Sequence, residues 1–206
     1  METKETAAAY DRLAAHWDGD DFNRENGIAQ HIRALQFVKE PTINQTRAAI
    51  DIGCGSSGRI IDLLNDRNFE AEGLDISAEM IERARRRHPQ NTFHHADFMA
   101  WKWPRNYEFI SAWDSVWHVP LAQQESMLRH LCAGLAPGGV LITTTGGMDG
   151  PSDVTNPCHG QPLYHAALGI RRFLDVLADC GCICRHLEYD QWPELHVYIV
   201  AQKTET

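Results

Sequence analysis

The 206-residue chain carries 19 Lys and Arg against 28 Asp and Glu, a formal charge of −9 at pH 7, with 43% hydrophobic residues. That length is enough to bury a full core within one domain, and the acidic balance argues against a nucleic-acid partner, which needs a basic footprint. No run is long and apolar enough for a membrane span. Residues 1–10 lack a signal-peptide core, and six scattered cysteines read as reduced thiols of a cytoplasmic protein.

Tyr10, Leu13, Ala14 and Trp17, then Ile28, Ile32 and Leu35, recur at helical spacing and predict two amphipathic helices. A strand over Ala48–Ile52 then breaks into Gly53-Cys54-Gly55-Ser56-Ser57-Gly58, and a helix follows over Gly58–Arg67. This is strand, tight turn, helix. The glycines remove side chains that would keep a ligand off the backbone, and free N–H groups at the helix start favour an anionic or electron-rich group. The next strand, Ala71–Leu74, delivers Asp75 to its end, and Ser77 is placed as the N-cap of a helix over Ser77–Arg87.

Strands at Thr92–His95 and Glu108–Trp113 follow, then Pro120 near the start of a helix with Leu128, Leu131, Cys132 and Leu135 on one face. Pro137-Gly138-Gly139 turns the chain into a strand over Val140–Thr145. Residues 146–163 read as a long loop rich in Gly, Pro, Asp and Asn. A helix carrying Ile170, Phe173, Leu174 and Leu177 precedes two last strands, Cys184–Tyr189 and His196–Gln202. The segment Asp190-Gln-Trp-Pro193 leads from one strand toward the other, and that separation is too short for a crossover helix, so the strands must be antiparallel. The expected fold is α/β: a single-domain, doubly wound, seven-stranded sheet, mostly parallel, ending in an antiparallel hairpin, with helices on both faces. Residues 1–40 would form a helical cap, 41–146 a cofactor-binding half, and 147–206 an acceptor-side loop, helix and hairpin.

Several conspicuous residues read as structural. Arg83, Arg85, Arg86 and Arg87 suit a helix C-terminus, and Arg171-Arg172 a solvated helix flank. Cys180, Cys182 and Cys184 read as small buried residues, and no metal site is expected, because no second ligand pair at zinc spacing appears.

The glycine turn satisfies the GxGxxG spacing of a dinucleotide site, with Asp75 near the expected offset. Three features pull away from a nicotinamide cofactor. The chain has no room for a separate substrate domain, Asp51 stands two positions before the first glycine where it can face the cationic part of a ligand, and the sheet ends in an antiparallel hairpin.

Together these residues resemble the class I S-adenosylmethionine-dependent methyltransferases, over nearly the whole chain from about Tyr10 to Lys203. Asp51-Ile-Gly53-Cys54-Gly55-Ser-Ser-Gly58 is similar to that family's glycine motif, with one residue more than usual between the last two glycines, which leaves Gly53 and Gly55 as the better contacts. Asp75-Ile76 resembles the acid-bearing second motif, whose carboxylate takes both ribose hydroxyls. Asp97-Phe98 resembles the adenine site, and Asp114 the acid that ends the fourth strand. The resemblance implies S-adenosyl-L-methionine as cofactor, S-adenosyl-L-homocysteine as product, and in-line methyl transfer to a small-molecule N, O or S nucleophile. Holding the reactants in line supplies up to ~7–11 kcal/mol of such a barrier.

Acceptor residues are expected at the carboxyl ends of the parallel strands. Tyr10 and Trp17 on the first helix either pack or cover the cofactor. Trp117 and His118 follow the fourth strand, and His118, titrating near ~6.5 when unperturbed, suits a general base. Tyr164 and His165, read at the start of the next helix, either reach the site or cap that helix. The tip around Asp190 and Trp192 reads as a solvated turn. An NAD(P)-linked oxidoreductase, for which a Tyr-x-x-x-Lys pair is missing, and a non-catalytic S-adenosylmethionine-binding module are the competing readings.

Overall fold

The computed structural model describes residues 3–17, 19, 22–40 and 46–205. The expected boundary at 40/41 adjoins residues 41–45, which lie outside the described residues. Helices α1 (Thr3–Trp17) and α2 (Ile28–Leu35) precede the sheet, as their apolar spacing requires. The alternation that follows is β1 (Arg47–Ile52), α3 (Arg59–Asp66), β2 (Phe69–Asp75), α4 (Ala78–Arg87), β3 (Thr92–His95), β4 (Tyr107–Ala112), α5 (Gln124–Ala133) and β5 (Leu135–Gly146). Then come β6 (Ser152–Cys158), β7 (Gln161–Ala167), α6 (Ile170–Asp179), β8 (Cys182–Glu188) and β9 (His196–Lys203).

The main sheet has seven strands in the order β3-β2-β1-β4-β5-β9-β8. β1 to β5 are parallel, and β9 runs antiparallel to both β5 and β8. The strand order reverses between β1 and β4, and that switch point is where open α/β sheets leave a crevice for ligands. Alternate residues feed two cores. Ile50, Ile52, Ile110 and Val197 pack under α5 and α6, while Ala49, Phe109, Ile142 and Tyr198 pack under α2, α3 and α4. Ser77 caps α4 as expected, its hydroxyl accepting the Met80 N–H at 3.1 Å.

Two local expectations are corrected. Pro137-Gly138-Gly139 does not precede the fifth strand but lies within β5 as an irregularity, the ladder jumping from Leu135 opposite Tyr107 to Val140 opposite Phe109. The supposed loop 146–163 is largely the separate two-stranded hairpin β6–β7. Its reversal is the two-residue turn His159-Gly160, both with positive φ (45° and 77°), the conformation a tight hairpin needs. The prolines disguised it: Pro157 and Pro162 stand opposite each other in the ribbon, which is tolerated because a two-stranded ribbon has only edges. Among the described residues no helix is long and apolar enough to cross a membrane.

Candidate active site

A cavity of about 360 Å³ opens at the carboxyl ends of β1, β2 and β4, roofed by α1 and β7. Its floor is the glycine turn. The N–H groups of Gly53 and Cys54 both donate to the Leu74 carbonyl, at 2.7 and 3.1 Å, folding the turn across the end of β2. Gly53 has φ 72°, and a side chain there would collide with Ser115, whose hydroxyl donates to the Ile52 carbonyl at 2.7 Å. Gly55 also has positive φ (57°), yet a Cβ there would meet no atom within 4 Å. Packing does not require that glycine; its left-handed backbone favours it, and the space above it is open. Gly58 is not in the wall and instead lies against the His88 ring.

Asp75 accepts the Gly55 N–H at 2.9 Å on one oxygen and the Ser77 N–H at 2.8 Å on the other. Burial pushes its pKa up, and those N–H groups work against the shift. Ile76, Asp97, Phe98 and Cys54 share this wall with Asp75, so the structure brings together the residues expected for a nucleoside. Asp97 also accepts the Met99 N–H at 2.9 Å, which fixes the turn after β3. Three lining residues, Trp17, Ser56 and Trp113, each carry a buried side-chain donor with no hydrogen-bond partner among the described residues.

Asp51 departs from its expected place. It is buried, absent from the cavity wall, and accepts the Ser111 hydroxyl at 2.7 Å. The cause is register: Asp51 lies beside Ser111 where β1 pairs with β4. Ser111 in turn meets His31 Nε2 at 3.0 Å, and His31 Nδ1 bonds the Gly27 carbonyl at 2.7 Å. A carbonyl only accepts, so Nδ1 carries hydrogen. The serine has one hydrogen for two remaining links, so the chain needs one further proton, on Asp51 or on His31 Nε2. Burial pushes Asp51 up to about 6 and His31 down to about 4.

The other end of the cavity is assembled from distant segments. Tyr10 on α1 meets His118 Nε2 at 2.7 Å, and His118 Nδ1 bonds the Tyr164 carbonyl at 2.6 Å. The carbonyl fixes the tautomer: Nδ1 is protonated, and Nε2 accepts from the Tyr10 hydroxyl and from Trp117 Nε1 at 3.2 Å. Burial holds His118 neutral, pushing it down to about 4, and raises the Tyr10 phenol. Tyr164 and His165 lie on β7, not at a helix start. Strand alternation sends them to opposite faces: His165 lines the cavity, whereas the Tyr164 hydroxyl accepts the Leu121 N–H at 3.1 Å outside it. Trp17 and Trp117 line the same end. α1 is seated there because Asp11 accepts from the Ser77 hydroxyl at 2.6 Å and Arg12 donates to Gln161 at 2.6 Å.

Asp114 has φ 51° and bonds His196 Nε2 at 2.9 Å and the Asn26 amide at 3.2 Å. His196 Nδ1 bonds Asp190 at 2.5 Å, and Asp190 accepts from Gln30 at 2.7 Å. Asn26, Gln30, Asp190 and His196 carry no local sequence signal for this arrangement, since α2, β4 and the β8–β9 tip meet only in the folded chain. Among the described residues no group of three or more His, Cys, Asp or Glu is arranged to hold a metal ion.

A glycine turn, a buried carboxylate at the end of β2 and a cavity at the switch point mark the ligand crevice of a doubly wound domain. Residues 49–139 match the family model described as a methyltransferase domain. The dTDP-3-amino-3,6-dideoxy-alpha-D-glucopyranose N,N-dimethyltransferase of Streptomyces fradiae is 30% identical over 140 residues, 67% of this chain and 52% of that one. The trans-aconitate 2-methyltransferase of Methylobacterium radiotolerans is 34% identical over 138 residues, 66% of this chain and 50% of that one. The chain thus spans about half the length of these curated relatives. In fold it is similar to an S-adenosylmethionine-dependent methyltransferase from Clostridium acetobutylicum, with a TM-score of 0.71 at 12% identity over 95% of this chain and 99% of that one. Residues 49–139 thus match a methyltransferase domain, and the chain as a whole has the fold of an S-adenosylmethionine-dependent methyltransferase.

Proposed function

We propose that the protein transfers a methyl group from S-adenosyl-L-methionine to an N, O or S nucleophile of a small molecule, leaving S-adenosyl-L-homocysteine. The observation that carries this reading is the floor of the cavity, where Gly55 leaves open space beside the Asp75 carboxylate. Asp75 would take the ribose hydroxyls, and Asp97 and Phe98 would hold the adenine. The bound cofactor supplies a methyl group already activated by its sulfonium. The chain's own contribution is positioning and exclusion of water. Tyr10 and Trp17 close the cavity from α1, and Leu163 and His165 close it from β7.

The cap 1–40, the cofactor half 41–146 and the acceptor side 147–206 work as a single domain in this reading. Six free thiols suit a reducing, cytoplasmic compartment. The net charge of −9 favours a small-molecule partner over nucleic acid. Calorimetric titration with S-adenosyl-L-homocysteine, with NADH as control, tests the cofactor. Binding of the first alone is the expected result. No binding of S-adenosyl-L-homocysteine, or binding of NADH in its place, overturns the proposal.

A further inference from the structure

We infer that the acceptor is a small amine whose nitrogen is held by the Asp114 carboxylate inside an aromatic enclosure, with His196 and Asp190 as positioning residues. This rests on the methyl-transfer reading and adds the substrate class to it.

The charge of the wall is the first argument. Among the described residues its carboxylates are Asp75, Asp97 and Asp114, and its one Lys or Arg is Arg59. Arg59 is already engaged, donating to the Asn26 carbonyl and the Ser57 hydroxyl, both at 2.8 Å, with its guanidinium 5.1 Å from the Phe22 ring centre. Among the described residues no lysine or arginine lines the Tyr10–Trp117 end to meet a carboxylate, phosphate or thiolate, so an anionic acceptor would be desolvated there without compensation.

The second argument is the carboxylate itself. Both nitrogens of His196 face carboxylate oxygens, which accept and do not donate, so the ring carries two N–H groups and a positive charge. Burial opposes that charge, and Asp114 and Asp190 outweigh it, raising the His196 pKa. Asp114, His196 and Asp190 together therefore keep one net negative charge. Asp114 lines the cavity, and its oxygens retain lone pairs beyond those used by His196 and Asn26. Tyr10, Trp17, Phe22 and Trp117 complete the enclosure, and aromatic faces attract cations.

The third argument is the charge that develops during transfer. His118 Nε2 already accepts from Tyr10 and Trp117, and its ring is a weak base. A hydroxyl acceptor has to lose a proton during transfer. An amine bound as its ammonium first gives one proton to the Asp114 carboxylate or to water; its lone pair then becomes the new N–C bond, the electron pair of the broken C–S bond leaves with sulfur, and the nitrogen, keeping its remaining hydrogens, becomes an ammonium again. The positive charge arising on nitrogen then sits beside Asp114, where a preorganised carboxylate stabilises it.

The test uses the whole protein saturated with S-adenosyl-L-homocysteine and titrated with cyclohexylamine, cyclohexanol and cyclohexanecarboxylate near neutral pH, read by tryptophan fluorescence. These probes share one ring and differ in charge. The ammonium should bind about tenfold or more tighter than the carboxylate, the size of one charge-assisted hydrogen bond. Asp114→Asn should abolish that preference and leave S-adenosyl-L-homocysteine affinity little changed. In the ¹⁵N spectrum, His196 should show two protonated nitrogens at neutral pH, and Asp190→Asn should lower the pH at which it titrates. Equal or no binding of the three probes, preference for the carboxylate, or a singly protonated His196 overturns the inference alone. So does an Asp114→Asn variant that loses S-adenosyl-L-homocysteine but keeps the order of the probes. Absence of S-adenosyl-L-homocysteine binding by the unaltered protein instead overturns the methyl-transfer reading beneath it.

Discussion

The two ends of the cavity are built by different means. At the glycine turn, backbone does most of the work: the N–H groups of Gly53, Cys54 and Gly55 bond Leu74 and Asp75, all within 22 residues of one another along the chain. At the other end, side chains from α1, the turn after β4, β7 and the start of β9 meet across separations such as 108 residues between Tyr10 and His118. The first end holds its shape as part of the β1–β2 ladder. The second exists only when α1, the hairpin and the sheet are all docked, so that end is the one able to vary its chemistry while the fold stays constant.

Substitutions can break this contrast at chosen points. Gly53→Val should have the largest effect, because a branched side chain at φ 72° would also strike Ser115. We expect a stability loss on the order of 3 kcal/mol or more by denaturant titration, together with loss of S-adenosyl-L-homocysteine binding. A variant that keeps both would show the floor to be adaptable.

The buried chain below the floor should respond to pH with opposite signs in two variants. Asp51 has a folded pKa raised to about 6, so its contribution is full below its unfolded value and is lost as pH rises toward 6. His31 has a folded pKa lowered to about 4, so its contribution is full above its unfolded value and is lost as pH falls toward 4. In the native protein the two nearly cancel. Asp51→Asn should leave a stability that rises between about pH 4 and 6.5, and His31→Gln one that falls between about pH 4 and 6, each by ~1–3 kcal/mol. Slopes of the same sign in denaturant midpoints would refute the shared proton.

Tyr10→Phe should have the smallest effect and sharpen the comparison. Ala9 and Leu13 still pack on Leu163, so we expect a loss of about 1 kcal/mol for the missing hydrogen bond. S-adenosyl-L-homocysteine affinity should be unchanged, with turnover of acceptor reduced. A fall in cofactor affinity instead would mean that α1 belongs to both ends.

The sequence by itself determined the succession of main-sheet strands and helices, though not the β6–β7 hairpin, together with the glycine turn, Asp75 and the antiparallel close. Each is a local pattern: alternating apolar runs, a glycine needed for positive φ, a link too short for a crossover. The resemblance to methyltransferase motifs also pointed to Ile76, Asp97 and Phe98, which line the cavity beside Asp75. Only the tertiary structure decided that Asp51 turns away to Ser111, that Tyr164 points out of the cavity while His165 points in, and that His196 joins Asp114 to Asp190. These depend on which strand lies beside which, in what register, and on where α1 and the β8–β9 tip come to rest. Such contacts form between residues far apart in the chain, and their geometry is set by the packing of whole elements rather than by neighbours in sequence.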